Sequence, residues 1–174
     1  MNTTGECNQT SEASEAEERE AQARRAHATA VKLLGPRDHS RQELRRKLLK
    51  RDFDAELCDS TLDALESLGY LDDSRFAERY AEQRSEAGYG PLSIRAKLME
   101  RGVDNSLVSA AIAGLGVSWD VVAAEALERK FTADELVDAD ERIRGRIARF
   151  LQTRGFSTGD ALSAVKQVRQ AAAR

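Results

Sequence analysis

Aromatic residues are scarce in this 174-residue chain: five Phe, three Tyr and one Trp, 5% in all. So few rings argue against a surface that recognises single strands by stacking bases. Only two prolines occur. Few β-branched runs and no Asn-Gly or Asp-Gly pair are present, which argues against hairpins and sheet. The two cysteines, Cys7 and Cys58, are far apart and match neither a metal nor a redox spacing. A disulfide framework is therefore not expected, and a reducing cytoplasm fits. No apolar stretch approaches the roughly 18 to 20 residues needed to span a bilayer, so no membrane partner is expected. The polar, acidic start of the chain does not read as a secretory signal. The two histidines, His27 and His39, belong to no cluster with Cys or carboxylates. No glycine-rich phosphate loop or nucleophile elbow appears either. Asp72 and Asp73 stand together, but at the predicted start of a helix, where acids serve as caps. The chain is thus not expected to be an enzyme or to hold a cofactor or a metal.

Charge is abundant: Asp, Glu, Lys and Arg make up 33% of the residues, in a background rich in Ala and Leu, a helical mixture. The formal net charge of −3 hides alternating blocks. Residues 21–51 carry ten cations against two acids, and residues 142–174 carry eight against one. Residues 52–87 carry eleven acids against three arginines. A mildly acidic protein can in this way still offer basic surface to an anionic partner.

One pattern occurs three times. "RQELRRKLLKRDFD" at 41–54, "PLSIRAKLMERGVD" at 91–104 and "RGRIARFLQTRGFS" at 144–157 align on Arg51, Arg101 and Arg154. Leu44 and Leu48, Ile94 and Leu98, and Ile147 and Leu151 then share register, each pair spaced i, i+4 on one helical face. Gly102 and Gly155 fall where a helix ends in a left-handed residue; Asp52 fills that slot in the first copy. Phe53, Val103 or Phe156 follows, and then a short polar residue suited to N-capping, Asp54, Asp104 or Ser157. A second apolar stripe comes next: Leu62 and Leu65, Ile112 and Leu115, Val165 and Val168.

The first helices have start signals too. "SRQE" at 40–43 is a capping box, Gly90-Pro91 puts proline at the first helical position, and "DADE" at 138–141 supplies acids to a helix N-terminus. A further helical stretch precedes each copy: 24–35, 72–88 and 118–131. The fold class predicted is all-α, three tandem three-helix repeats stacked into an elongated, curved array. The boundaries expected are 16–70, 71–117 and 118–174, after a disordered acidic tail at 1–15.

The same helix of each unit carries the cations. In the first copy they include Arg41, Arg45, Arg46 and Lys50; in the second, Arg95, Lys97 and Arg101; in the third, Arg142, Arg146 and Arg149. Stacking would align them into a basic track suited to phosphates or to an acidic protein groove. Solvated helix faces are the plainer reading of such charge.

"HSRQELRRKL" at 39–48, "GYLDDSRFAERY" at 69–80 and "GYGPLSIRAKLMERGVD" at 88–104 resemble the RecX family, bacterial regulators of the RecA recombinase. The resemblance covers roughly residues 26–170. It implies a cytoplasmic, non-enzymatic protein of three tandem three-helix repeats whose partner is the RecA–DNA filament; the array itself is expected to be a monomer. Members lodge in the filament groove and restrain ATP hydrolysis, strand exchange and co-protease activity; they also bind DNA weakly. On this resemblance the surface around Gly88, Tyr89, Gly90, Arg95 and Arg101 contacts the filament. Turn chemistry alone is the competing reading of Tyr89, Gly90 and Pro91. Two positions depart from the family pattern: Lys97 stands where Glu is frequent, and Asp52 where Gly is usual. The alternatives in function are a general nucleic-acid-binding protein that competes for DNA, and an α-helical scaffold for an unrelated protein.

Overall fold

The computed structural model describes residues 6–35, 37–137 and 140–172. Among them are ten helices and no strand. The first repeat holds α1 (Glu6–Leu34), α2 (Arg41–Leu49) and α3 (Ala55–Ser67). The second holds α4 (Asp73–Glu86), α5 (Pro91–Glu100) and α6 (Asn105–Gly114). The third holds α7 (Trp119–Lys130), α8 (Ala133–Val137), α9 (Glu141–Arg154) and α10 (Thr158–Ala172).

The predicted caps are present. Ser40 and Glu43 form a reciprocal capping box at α2. Asp54 accepts from the Leu57 amide, Asp104 from that of Ser106, Asp140 from that of Ile143, and Ser157 from that of Asp160. These oxygens satisfy first-turn amides that have no partner inside the helix. Asp52, Gly102 and Gly155 all take positive φ, at 63°, 83° and 82°. Residues 138 and 139 of the "DADE" signal lie outside the described residues.

Each repeat has its own core. Leu44, Leu48, Leu62 and Leu65 are buried in the first with Ala30 and Cys58. Ile94, Leu98, Val103 and Val108 are buried in the second beside Phe76 and Ala77. Ile147, Leu151, Phe156 and Val168 are buried in the third with Leu127 and Phe131. The i, i+4 stripes therefore face inward in all three copies.

Two features differ from the sequence reading. The helix α1 begins at Glu6, inside the stretch expected as tail; residues 1–5 lie outside the described residues. Its side chains from Glu15 to Glu20 are exposed, and Glu15–Arg19 and Glu20–Arg24 are i, i+4 ion pairs along it. The short α8 is an element that the periodicity does not show. Thr132 and Glu135 cap it reciprocally, and it buries Leu136 in the third core.

The chain divides into two compact units, 1–73 and 74–174. Within the second unit, Trp119 packs against both cores, joining the second repeat to the third.

Candidate interaction surface

The helices α2, α5 and α9 carry the cations singled out from the sequence, and the structure divides them by what they touch. In α2, Arg45 grips Asp59 of α3 through Nε and a terminal nitrogen, at 2.7 and 2.9 Å. This hydrogen bonding holds the Asp59 carboxyl below the usual range. Arg41 bridges Asp63 and Glu66 at 2.7 and 2.6 Å. These two arginines thus lace α2 to α3. Arg46 and Lys50 are exposed, Arg46 with its Nε on the Gln42 carbonyl.

In α5, Arg95 donates to Asn105 Oδ1 and Ser109 Oγ of α6, at 2.7 and 3.1 Å. Lys97 is exposed and pairs with Glu100. Arg101 lies over the Tyr80 ring at 4.7 Å and near Phe76, themselves stacked with centroids 6.2 Å apart. In α9, Arg146 reaches Glu135 of α8 at 3.1 Å and lies over Phe131. Arg142 and Arg149 are exposed, with no carboxylate partner among the described residues.

The stretch Gly88-Tyr89-Gly90-Pro91 forms the joint between the second and third repeats. Helix α5 starts without a side-chain cap, and proline at its first position has no N–H. The amides at this start are met by the end of α9: Gly90 N–H donates to the Arg154 carbonyl at 2.8 Å, and Leu92 N–H to that of Gly155 at 3.1 Å. Unpaired amides of one helix and unpaired carbonyls of another satisfy each other here, with their dipoles head to tail. A Cβ on Gly90 would stand 2.4 Å from the Gly155 oxygen, and one on Gly155 2.3 Å from the Ser93 nitrogen. Arg154 and Arg129 of the third repeat donate to the Ala87 and Glu86 carbonyls at the end of α4. Tyr89 is half-buried between two guanidinium groups, Arg84 at 3.7 Å and Arg154 at 4.3 Å. This packing explains both glycines, the proline and the tyrosine without a partner. Sequence reading misses the roles of Arg84, Arg129 and Arg154, because nothing in a helical period reports which helix end meets which.

His39 and Asp73 hold local structure. His39 is buried; its Nδ1 lies 3.0 Å from the Arg37 carbonyl and its Nε2 2.6 Å from Lys47 Nζ. Burial and the Lys47 ammonium push the imidazole pKa down, which fits a neutral ring donating through Nδ1 and accepting through Nε2. Asp73 accepts the first amide of α2, that of Arg41, at 2.7 Å, while burial pushes its carboxyl up. Among the described residues no three His, Cys, Asp or Glu side chains gather as a metal would require. No single helix there is long and apolar enough to cross a membrane.

Known proteins share this arrangement. Residues 26–65 match the family profile described as RecX, first three-helix domain, and residues 72–112 that of the second three-helix domain. The Regulatory protein RecX of Pseudomonas fluorescens (strain SBW25) is 39% identical over 129 residues, 74% of this chain and 82% of that one. The protein of the same name from Halorhodospira halophila is 41% identical over 144 residues, 83% and 84% of the two chains. The chain belongs to the RecX family. The crystal structure of RecX from Lactobacillus salivarius shares the fold, with a TM-score of 0.75 at 19% identity over 86% of this chain and 98% of that one. A second RecX crystal structure gives 0.69 at 22% identity, over 90% and 75%. Its relatives make this chain a regulatory protein of the RecX type.

Proposed function

We propose that this chain is a mainly negative modulator of the RecA recombinase, acting in the cytoplasm without catalysis of its own. It binds the RecA–DNA filament in its helical groove and restrains ATP hydrolysis, strand exchange and co-protease activity. The observation that carries this reading is membership of the RecX family, whose relatives are named regulatory proteins. The geometry supports it with a repeated helical hairpin that presents exposed cations on the first helix of the first and third copies. Arg46, Lys50, Arg142 and Arg149 are the cations we assign to the partner; Arg95, Lys97 and Arg101 offer the corresponding surface of the middle copy.

A second reading, a general nucleic-acid binder that competes for DNA, is favoured by Lys50, Arg142 and Arg149. They are exposed and have no carboxylate partner among the described residues. Such cations suit phosphates of any sequence.

Titrating the protein into single-stranded-DNA-dependent ATP hydrolysis by the cognate recombinase tests the proposal. Inhibition is expected while the DNA is saturated with recombinase. Inhibition that vanishes whenever DNA is in excess, and that tracks affinity for bare DNA, would favour the competitor.

A further inference from the structure

The three repeats share one framework, and the third departs from it on one face. In the first repeat the α2–α3 surface is closed by ion pairs, Arg45 with Asp59 and Arg41 with Asp63 and Glu66. In the second, Arg95 stands in the register of Arg45 and Ser109 in that of Asp59, and the two are hydrogen bonded. In the third, those registers hold Ala148 and Leu162. Arg144 keeps the register of Arg41, but Lys166 and Arg169 stand where the first repeat has Asp63 and Glu66. The lacing is therefore gone, and two of the framework's three acids have become bases.

The consequence is an open groove of about 490 Å³ between α9 and α10. Ile147, Leu151, Phe156 and Val165 line it, and Leu162 at its edge is 69% exposed. No carboxylate reaches across it among the described residues. Arg144 pairs with Glu141 on its own helix, and Arg169 donates through Nε to the Leu136 carbonyl.

We infer that this groove docks an acidic segment of a partner protein. The segment sets a large apolar side chain against the floor and carboxylates against Arg144, Lys166 and Arg169. It supplies from outside what Asp59, Asp63 and Glu66 supply within the first repeat. Apolar walls flanked by Arg144 and Arg169, with Lys166 exposed on the same helix as Arg169, fit an amphipathic acidic helix. They suit nucleic acid less well, because phosphates gain nothing from Ala148 and Leu162, and the one ring in the wall, Phe156, is buried. In so far as the partner is the recombinase filament, the inference rests on the modulator reading.

Two variants restore the first repeat's chemistry: Ala148→Arg with Leu162→Asp closes the groove with a pair like Arg45–Asp59, and Arg169→Glu returns an acid opposite Arg144. The probe is a synthetic amphipathic helical peptide of Leu and Glu, with a Leu and Lys peptide and oligothymidine as controls. On the full-length chain, amide chemical shifts near Ala148, Leu162 and Arg169 are expected to move with the acidic peptide only. Each variant should weaken its affinity about tenfold or more, as truncating a central interface residue does, with circular dichroism melting retained. Inhibition of ATP hydrolysis should need correspondingly more of each variant. Peptide affinity unchanged in Arg169→Glu overturns the proposal even if the double variant fails to fold. So does oligothymidine moving those amides in the peptide's place, or self-association of the wild type that the variants abolish, which would make a second copy the occupant. Wild-type inhibition that both variants retain in full sinks the groove and spares the modulator reading. A docked peptide with no wild-type inhibition does the reverse.

Discussion

Asp52 turns the chain where Gly102 and Gly155 turn it in the other copies. All three sit in the left-handed region, which costs a residue with a Cβ roughly 1–2 kcal/mol. The Asp52 side chain is exposed, so the strain has no packing to offset it. Asp52→Gly is therefore expected to stabilise the first repeat by about 0.5–1 kcal/mol, after the larger unfolded-state entropy of glycine is subtracted. An unchanged or lower urea midpoint would contradict this. His39 yields a prediction in pH. Its folded pKa is lowered by burial first and by Lys47 second; the hydrogen bond to the Arg37 carbonyl opposes this, the Arg37 guanidinium adds a smaller lowering, and Glu43 opposes it. As pH falls below about 6.5, the unfolded chain binds the proton first. The stability held by the neutral ring is thus complete above that pH and is lost as pH drops through the lower folded value. His39→Gln, which can still accept from Lys47, should flatten the fall in urea midpoint between about pH 7.5 and about pH 5.5, the range that brackets the unfolded histidine. Parallel midpoints for wild type and variant across that range would rule out His39 as the source.

At the scale of the helix, most of the fold is legible in the sequence. The i, i+4 pairs Leu44/Leu48, Ile94/Leu98 and Ile147/Leu151 and the caps Ser40, Asp54 and Asp104 are local signals, and local signals survive in a linear sequence. The short α8 escapes because one helical turn has no period to detect; its only trace is the Thr132–Glu135 box. The candidate surface is half legible. From their own helix Arg41 and Arg45 read as free cations, whereas their carboxylates come from α3, whose acids stand out only as a separate block of charge. The joint at Gly90 is not legible at all, since residues 90 and 155 meet only in three dimensions. That joint makes a prediction. In Gly90→Ala the added methyl meets backbone atoms of Gly155 and Phe156 within 2.7 Å, and backbone cannot swing aside as a side chain can. The two helix ends must part and break two hydrogen bonds, so a cost of about 1–3 kcal/mol is expected. Amide hydrogen exchange should accelerate at Leu92 together with the α4 and α5 amides near the joint. Protection equal to wild type at Leu92 would show that the junction between repeats is dispensable.

For the whole molecule, net charge is a poor guide to what binds. At −3 overall the chain should repel DNA, yet residues 21–51 and 142–174 are strongly basic. Internal pairing decides how much of that charge a partner can feel. Reversing Arg45 would set two acids face to face at Asp59 and confuse loss of fold with loss of binding. Exposed pairs away from Asp59 carry less of that risk: Arg46 and Lys50 at the end of α2, Arg142 and Arg149 in α9, each changed to Glu. Their effect on stability should stay within about 0.5 kcal/mol, as for most surface changes. Affinity for bare single-stranded DNA should drop in both variants, and the slope of log K against log salt should shrink by about 0.7 for each phosphate no longer neutralised. The middle repeat is the discriminating case. Lys97 is paired with Glu100, whereas Arg95 is held by the neutral side chains of Asn105 and Ser109 and keeps its charge. For a filament modulator, changing both to Glu should impair inhibition of ATP hydrolysis more than it lowers bare-DNA affinity, because the surface is read by a protein whose recognition depends on shape and pairing. For a competitor for DNA, inhibition must follow DNA affinity through all three variants, with the α2 and α9 pairs dominating. Measuring both quantities for each variant, with circular dichroism to confirm the fold, separates the two. A middle variant that inhibits fully would remove Arg95 and Lys97 from the interaction surface.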